Sequence, residues 1–247
     1  MRRDIAETSN TPAGEDSGYW ISISDLMSGL LIVFILCLSY FMIEFLQEKQ
    51  RLSEETKKWR EIDELRKNLL QDIENSLIES GITNVVVDPA HGILRFPEGI
   101  LFESGKADIT DSGMKTIHKL ADVLSDVLNQ KKYEGRVETI FVEGHTDSLP
   151  IHTEKFESNW ELSTKRAINA WNALMSSGRA LDEMRNRKNE ALFSCSGYAD
   201  TRPIDTNETI EGRSENRRID LRFAMAPPPM EDAEKPIVTE TLEGMAQ

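Results

Sequence analysis

The stretch FVEGHTD, residues 141–147, decides the fold of this chain. It continues a strand that is predicted over Val137–Glu143, where apolar and polar residues alternate. A glycine ends the strand, and Thr146 and Asp147 follow at its exit. Twelve residues after Asp147 comes NWELSTKRA, residues 159–167, which marks the start of a helix.

This helix is predicted over Leu162–Ser176, with Asn159 or Ser163 as its cap and Arg166 in its first turns. The surrounding region alternates in the same manner. Further strands are predicted at Asn84–Val87, Ile93–Phe96, Leu192–Gly197 and Arg218–Ala224, and a further helix at Thr110–Leu128. Strands that alternate with helices imply a sheet covered by helices on one or both faces.

A second feature is the apolar run LMSGLLIVFILCLSYFMI, residues 26–43, whose 18 residues include no Asp, Glu, Lys, Arg or His. A bilayer core about 30 Å thick needs about 20 helical residues. Tyr19 and Trp20 lie where an interfacial aromatic belt is expected. We therefore predict one transmembrane helix rather than the core helix of a soluble domain, because no soluble core of matching size surrounds the run.

Composition limits the remaining possibilities. The 247 residues carry 29 Lys and Arg against 43 Asp and Glu, a net charge of −14. This charge argues against a nucleic-acid-binding protein, because affinity for nucleic acid comes from neutralising phosphates. Only two cysteines are present, Cys37 in the apolar run and Cys195 in the soluble region, which excludes a disulfide scaffold.

Residues 44–80 are highly charged and contain neither Pro nor Gly. Apolar residues recur there at mostly helical spacing: Leu52, Trp59, Ile62, Leu69, Ile73 and Leu77. The pattern predicts an amphipathic helix. Two interpretations remain open for it: a solvated spacer that continues from the membrane, and a seam through which two copies of the chain associate.

Asp25 stands one residue before the apolar run. A carboxylate inside a membrane span costs about 2.5–3.5 kcal/mol on insertion scales, and such residues commonly mark ion pathways. As an ion carrier, Asp25 would bind a proton against the dry surface of a partner and release it to water. We expect a proton rather than sodium, which needs more oxygen ligands than Ser22, Ser24 and Ser28 supply. The alternative is a carboxylate at the headgroup level or a helix cap.

The two motifs above and RSENRRIDLRF, residues 213–223, occur in the order found in the OmpA-type peptidoglycan-binding domain, which this region resembles. The segment FESGKADI, residues 102–109, adds to the resemblance. The resemblance implies an α+β chain whose soluble part is a β/α sandwich that holds the peptide stem of the cell wall.

The same resemblance implies site residues. In the OmpA-type family an aspartate pairs with the ammonium of diaminopimelate and an arginine with its carboxylate, and the matching residues here are Asp147 and Arg166. Asn159 and Leu162 match the other pocket positions. One alternative is that Asp147 and Arg166 pair only with each other. The two arginines of the NRR motif, residues 217 and 218, are expected to pair with acids of the sheet.

Residues 19–42, YWISISDLMSGLLIVFILCLSYFM, resemble the membrane signature of stator B subunits such as MotB. Within these subunits, the short acidic amino tail and SISDLMSGL favour ZorB of the Zorya anti-phage systems. The resemblance implies a homodimer inside five copies of a MotA/ZorA-like membrane subunit, with ion flow past Asp25 and the dimer fixed to peptidoglycan. A flagellar MotB-like subunit and a static membrane-to-wall tether without ion transport are the alternatives.

The chain is thus predicted to consist of a cytoplasmic flexible tail (1–18), a transmembrane helix (19–46), a helical linker (47–80), an OmpA-like domain (81–224) and a disordered tail (225–247). The resemblance implies the bacterial inner membrane, with the carboxyl-terminal domain in the periplasm. The basic residues that follow the span favour the opposite orientation by the positive-inside rule, and the resemblance overrules them.

No catalytic pattern accompanies these motifs. His145 and His152 lack the spacing of zinc ligands, and neither a G-x-S-x-G motif nor a Gly-rich phosphate loop is present. We therefore expect a protein that is not an enzyme and that uses no cofactor other than the transported ion.

Overall fold

The computed structural model describes residues 15–228, in two compact units that divide between Lys57 and Lys58. The two predicted tails fall largely outside the described residues. Of the first tail only residues 15–18 are described, and they are helical. Of the second, residues 225–228 are described, and Met225 ends the last strand.

The first unit consists of the amino-terminal part of one helix, α1, which spans Glu15–Glu79. Every residue from 24 to 57 is exposed. The helix holds an 18-residue window of mean hydropathy 2.5, none of which is buried. By length and composition this helix can cross a membrane.

The second unit is built on a five-stranded sheet. Its elements are β1 (Val86–Asp88), β2 (Ile93–Pro97), α2 (Glu98–Leu101), α3 (Asp111–Leu128), β3 (Val137–His145), α4 (Asn159–Met175), a 3₁₀ turn (Leu181–Glu183), β4 (Phe193–Gly197), α5 (Ile210–Asn216) and β5 (Arg218–Met225). The strand order is β1-β2-β5-β3-β4. β3 and β4 are parallel and the other pairs are antiparallel. The predicted α+β fold is confirmed.

The start of α4 differs from its prediction. The cap is Ser158, whose hydroxyl accepts a hydrogen bond from the N–H of Glu161. The prediction of Asn159 or Ser163 as the cap is therefore wrong. Because Ser158 satisfies an otherwise unpaired N–H of the first turn, the helix begins three residues before Leu162.

The end of α1 belongs to the core of the second unit. Its buried side chains join one apolar cluster with the sheet and α3: Leu69, Leu70, Ile73 and Leu77. The hydroxyl of Tyr133 also donates a hydrogen bond to Asp72 of α1 at 2.8 Å. The apolar spacing in this stretch thus reflects packing within the chain, which neither interpretation of the linker foresaw. Leu52 and Trp59 remain exposed.

Two glycines allow α4 to approach the sheet closely. A Cβ at Gly144 would lie 2.1 Å from the carbonyl oxygen of Ser163, and a Cβ at Gly197 would lie 2.5 Å from the backbone nitrogen of Thr164. Glycine in a strand commonly marks such an approach. The contact places the start of α4 beside the end of β3.

Replacing Ile73 by alanine should lower the free energy of unfolding of the second unit by about 2–5 kcal/mol, because it leaves a cavity in the core. Leu52→Ala, on the exposed part of the same helix, should change it by less than about 0.5 kcal/mol. Urea titration of the full chain in detergent, followed by near-UV circular dichroism, measures both. An equally small effect of the two substitutions would show that α1 contributes nothing to this core.

Candidate functional site

The predicted site residues lie where β3 ends and α4 begins. Asp147 follows β3 by two residues, and Asn159, Leu162 and Arg166 lie in the first half of α4. The side-chain amide of Asn159 donates hydrogen bonds to the carbonyl oxygens of Asp147, at 3.2 Å, and Leu149, at 3.0 Å. Asn159 thus ties the start of α4 to the loop that follows β3.

Leu162 is buried beneath this loop. It packs with Ala107 and Phe156 in a small apolar cluster that is separate from the main core, and Ile151 packs against it from the loop. With 4% of its surface exposed, Leu162 packs beneath the loop.

Arg166 is a buried cation. Its Nε donates a hydrogen bond to the carbonyl oxygen of Lys106 at 2.7 Å, and its Nη2 pairs with Glu98. The guanidinium lies over the ring of Phe102, 5.4 Å from the ring centroid. Burial lowers the pKa of Arg166 from its ordinary value, and the charge of Glu98 opposes this shift. Within residues 15–228, Nη1 makes no hydrogen bond.

Glu98 connects Arg166 to a second arginine. Its carboxylate accepts hydrogen bonds from Nη2 of Arg166 and from Nε of Arg217. Nη1 of Arg217 donates in turn to Oδ2 of Asp147 at 2.7 Å, while Oδ1 of Asp147 accepts from the N–H of Leu149 at 3.1 Å. Asp147, Arg217, Glu98 and Arg166 therefore alternate in charge, and we call these four residues the charge chain.

Two pairings that were expected from the sequence can be compared with the contacts of these arginines. Asp147 and Arg166 lie in one network but do not pair directly, so the alternative of exclusive mutual pairing is wrong. Arg218 pairs with Asp220 of β5 at 2.9 Å, as expected of an arginine on the sheet. Arg217 instead links Asp147 to the rest of the charge chain, so its predicted pairing with an acid of the sheet is wrong.

Glu98 was not found by sequence reasoning because it lies outside every motif. The signal that places it in the site is the pairing of β2 with β5, in which Pro97 stands opposite Arg218. One residue further on, the N–H of Glu98 donates to the carbonyl oxygen of Arg217 at 2.9 Å. The site is thus assembled by contacts between distant parts of the chain.

The charge chain can bind a zwitterion. Asp147 supplies a carboxylate that can accept hydrogen bonds from an ammonium group. Arg166 and Arg217 each keep one terminal nitrogen, Nη1 and Nη2 respectively, that has no hydrogen-bond partner in the described chain. Guanidinium groups bind carboxylates through such N–H donors. A ligand that carries an ammonium and a carboxylate on one carbon could therefore bind Asp147 through the first group and the two arginines through the second.

A groove of about 640 Å³ borders the same loop. Phe156 and Trp160 line it together with Lys155, Lys165 and Asp108, and 53% of the surface of Trp160 is exposed. None of the four residues of the charge chain lines this groove. The charged site is therefore a neighbouring surface and not the floor of the groove.

His145 of the GHTD motif is buried at the end of β3. Neither ring nitrogen makes a hydrogen bond within the described residues, and the ring stacks on Tyr198 with 5.4 Å between centroids. Burial lowers the pKa of His145 to about 3. Three arginine charges add to this shift: Arg218, Arg202 and Arg95. His145 is therefore neutral at neutral pH and serves packing.

Asp25 lies within α1 and is exposed. The helix begins ten residues earlier, at Glu15, so Asp25 does not cap it. One turn further on are Gly29, where a Cβ would meet nothing within 4 Å, and Ser28, whose hydroxyl donates to the carbonyl oxygen of Ser24 at 2.7 Å. Small residues of this kind let a second membrane helix approach closely.

The lowered pKa of His145 predicts a pH dependence of stability. Between about pH 6.5 and about pH 3 the unfolded chain binds a proton that the folded chain does not, so stability should fall as the pH drops through this window. The contribution of this group is about 1.4 kcal/mol per pH unit. His145→Phe, which keeps a ring against Tyr198, should show a slope shallower by that amount in urea titrations at about pH 6 and about pH 4.5.

The matched control for this prediction is His152→Gln, which removes an exposed imidazole from the neighbouring loop. It should keep the slope of the unmodified chain. An unchanged slope in His145→Phe would contradict the assignment of this pH dependence to His145.

The chain is similar to several known proteins. Residues 101–217 match the OmpA family. Motility protein B of Bacillus subtilis strain 168 is 34% identical over 130 residues, which are 52% of this chain and 43% of that protein. The protein YtxE of the same strain is 27% identical over 248 residues, covering 90% of this chain and 95% of that protein.

A solved structure shows the same fold. A MotB-like protein from Desulfovibrio vulgaris superposes with a TM-score of 0.52 at 21% identity, covering 68% of this chain and 98% of that one. The chain spans less than half the length of the Motility protein B from Bacillus subtilis. Residues 101–217 of the second unit are thus similar to the OmpA family, and Motility protein B is among the proteins that the chain resembles.

Proposed function

We propose that this chain is the B subunit of an ion-driven rotary motor in the bacterial inner membrane and is fixed to peptidoglycan by its OmpA-like domain. The observation that carries the proposal is the charge chain, which presents both signs of charge at one place in an OmpA-family domain. The membrane part of the proposal rests on the apolar helix that contains Asp25. The similarity to Motility protein B supports the combination of the two.

The wall half of the proposal rests on the chemistry of diaminopimelate, whose free end carries an ammonium and a carboxylate on one carbon. The ammonium donates to the carboxylate of Asp147, which also accepts a hydrogen bond from Nη1 of Arg217. The carboxylate binds the unpaired nitrogens of Arg166 and Arg217. Hydrogen bonds to charged groups contribute about 1.5–3 kcal/mol each, so a few of them suffice to hold one peptide stem.

The membrane half rests on Asp25. Two copies of the chain lie inside a ring of five copies of a MotA/ZorA-like membrane subunit, and Asp25 of each copy binds a proton in turn. The dry surface of the ring favours the neutral carboxyl, and water on the other side favours its release. The ring turns around the pair. Because an unanchored pair would spin with the ring, the motor requires the wall contact.

This proposal also fixes the orientation. The OmpA-like domain lies in the periplasm, where peptidoglycan is, and the residues before α1 lie in the cytoplasm. Within the class we favour a ZorB-like role in defence against phage, which the SISDLMSGL run supports. A flagellar role uses the same site and the same aspartate. A static tether uses the wall site alone.

Asp147→Asn should weaken binding to purified peptidoglycan sacculi by about tenfold or more, because it removes a charged partner of the ammonium group. Cosedimentation of the full chain in detergent with sacculi measures this. Asp108→Asn is the matched control, because it removes a carboxylate whose side chain is 77% exposed next to the site. Equal binding by the unmodified chain and both variants would contradict the wall half of the proposal.

Asp25→Asn should abolish proton flux through the complex, because an amide cannot carry the proton, and should leave assembly and sacculus binding unchanged. The measurement is proton uptake by proteoliposomes that contain the chain together with its co-purified membrane partner. Glu44→Gln removes a carboxylate just after the apolar run and should keep the flux. Full biological activity of Asp25→Asn would leave the static tether as the function.

A further inference from the structure

Glu98 is held in place by the backbone as well as by its side chain. It is the first residue of α2 and directly follows the last paired residue of β2. Its N–H donates to the carbonyl oxygen of Arg217 at 2.9 Å. The side chain is 8% exposed, and each carboxylate oxygen faces a different guanidinium group. Glu98 therefore has a fixed position between the guanidinium groups of both arginines and pairs with each of them.

The contacts of Glu98 orient Arg166. Glu98 binds Nη2, and the carbonyl oxygen of Lys106 binds Nε at 2.7 Å. Two acceptors on two nitrogens fix the plane of a guanidinium, which is rigid. Nη1 is then the one nitrogen of Arg166 that has no hydrogen-bond partner within the described residues. A merely apolar neighbour at residue 98 would fill the same space without determining which nitrogen of Arg166 faces outward.

The same carboxylate orients Arg217. Its Nε is bound to Glu98 and its Nη1 to Asp147, so that Nη2 is left for a ligand. The side chain of Arg217 is 28% exposed, against 2% for Arg166. One deeply buried and one half-buried guanidinium thus each keep one terminal NH2 group without a hydrogen-bond partner in the described residues, and both guanidinium groups are held by Glu98.

We infer that Glu98 is the positioning residue of this site and sets its preference for zwitterionic peptide ends. The inference rests on the proposed function as a peptidoglycan anchor. With Glu98 present, the two acids and the two bases of the charge chain balance, so the site suits a ligand end that is itself neutral overall. Without Glu98 the site carries an excess positive charge, and each arginine keeps only one of its two anchoring contacts, Arg166 to the carbonyl oxygen of Lys106 and Arg217 to Asp147.

The test compares two peptides on the full chain in lipid nanodiscs. One is fluorescently labelled L-Ala-D-Glu-meso-diaminopimelate, and the other is the same peptide with the carboxylate next to the free amino group converted to an amide. We expect the unmodified chain to bind the acid form at least about tenfold more tightly than the amide, because two charged hydrogen bonds are lost with the carboxylate.

Glu98→Gln should bind the acid form about tenfold or more weakly than the unmodified chain, and should bind both peptides within about threefold of each other. Glu98→Asp keeps the charge and shortens the side chain by one methylene, so that it cannot reach both guanidinium groups. It should also lose discrimination. Glu103→Gln, an exposed glutamate five residues along the chain, should behave like the unmodified chain.

Several outcomes would overturn the inference. Binding by Glu98→Gln or Glu98→Asp that equals or exceeds that of the unmodified chain would mean that Glu98 is a spectator or a competitor for the arginines. An equal loss of affinity for both peptides, together with a lower melting temperature, would show a purely structural role. If the unmodified chain bound neither peptide, the proposed wall anchor itself would fall and this inference with it.

Discussion

The burial of one carboxylate between two guanidinium groups is the constraint on which the site depends. Glu98 begins α2, Arg166 belongs to α4 and Arg217 immediately precedes β5, so their pairing joins three elements that are far apart in the chain. Removal of one partner from a buried pair costs about 3–5 kcal/mol, because a charge is left without compensation. Loss of any member of this set therefore leaves another member without one of its charged partners.

The close approach of α4 to the sheet is the second constraint. Gly144 of β3 leaves room for the backbone of Ser163, and the hydroxyl of Ser163 accepts a hydrogen bond from the N–H of Ala199 at 3.0 Å. This fixes the start of α4 against both the end of β3 and the turn after β4. Arg166 lies one turn further along α4, so its distance from Asp147 is set by the framework and not by the loop between them.

The periodicity of the sequence predicted the five strands and the helices α3 and α4, because the spacing of apolar residues is a local property that the folded chain retains. It missed α2 and α5, which at four and seven residues are too short for a period to be visible. The spacing of Leu69, Ile73 and Leu77 indicated a buried face without indicating what would cover it. A local pattern cannot supply that information, since the covering residues come from the sheet and α3.

The candidate site likewise combines residues that local motifs predict with a contact between distant residues that they do not. Asp147 and Arg166 were found because they belong to motifs, whereas the ion pair of Glu98 with Arg217 joins residues 119 positions apart, a relation that no short pattern records.

In the proposed motor the packed end of α1 has a mechanical consequence. Because residues 69–77 are part of the core that carries the site, force from the wall enters α1 there. Leu52 and Trp59, which precede this packed end, remain exposed.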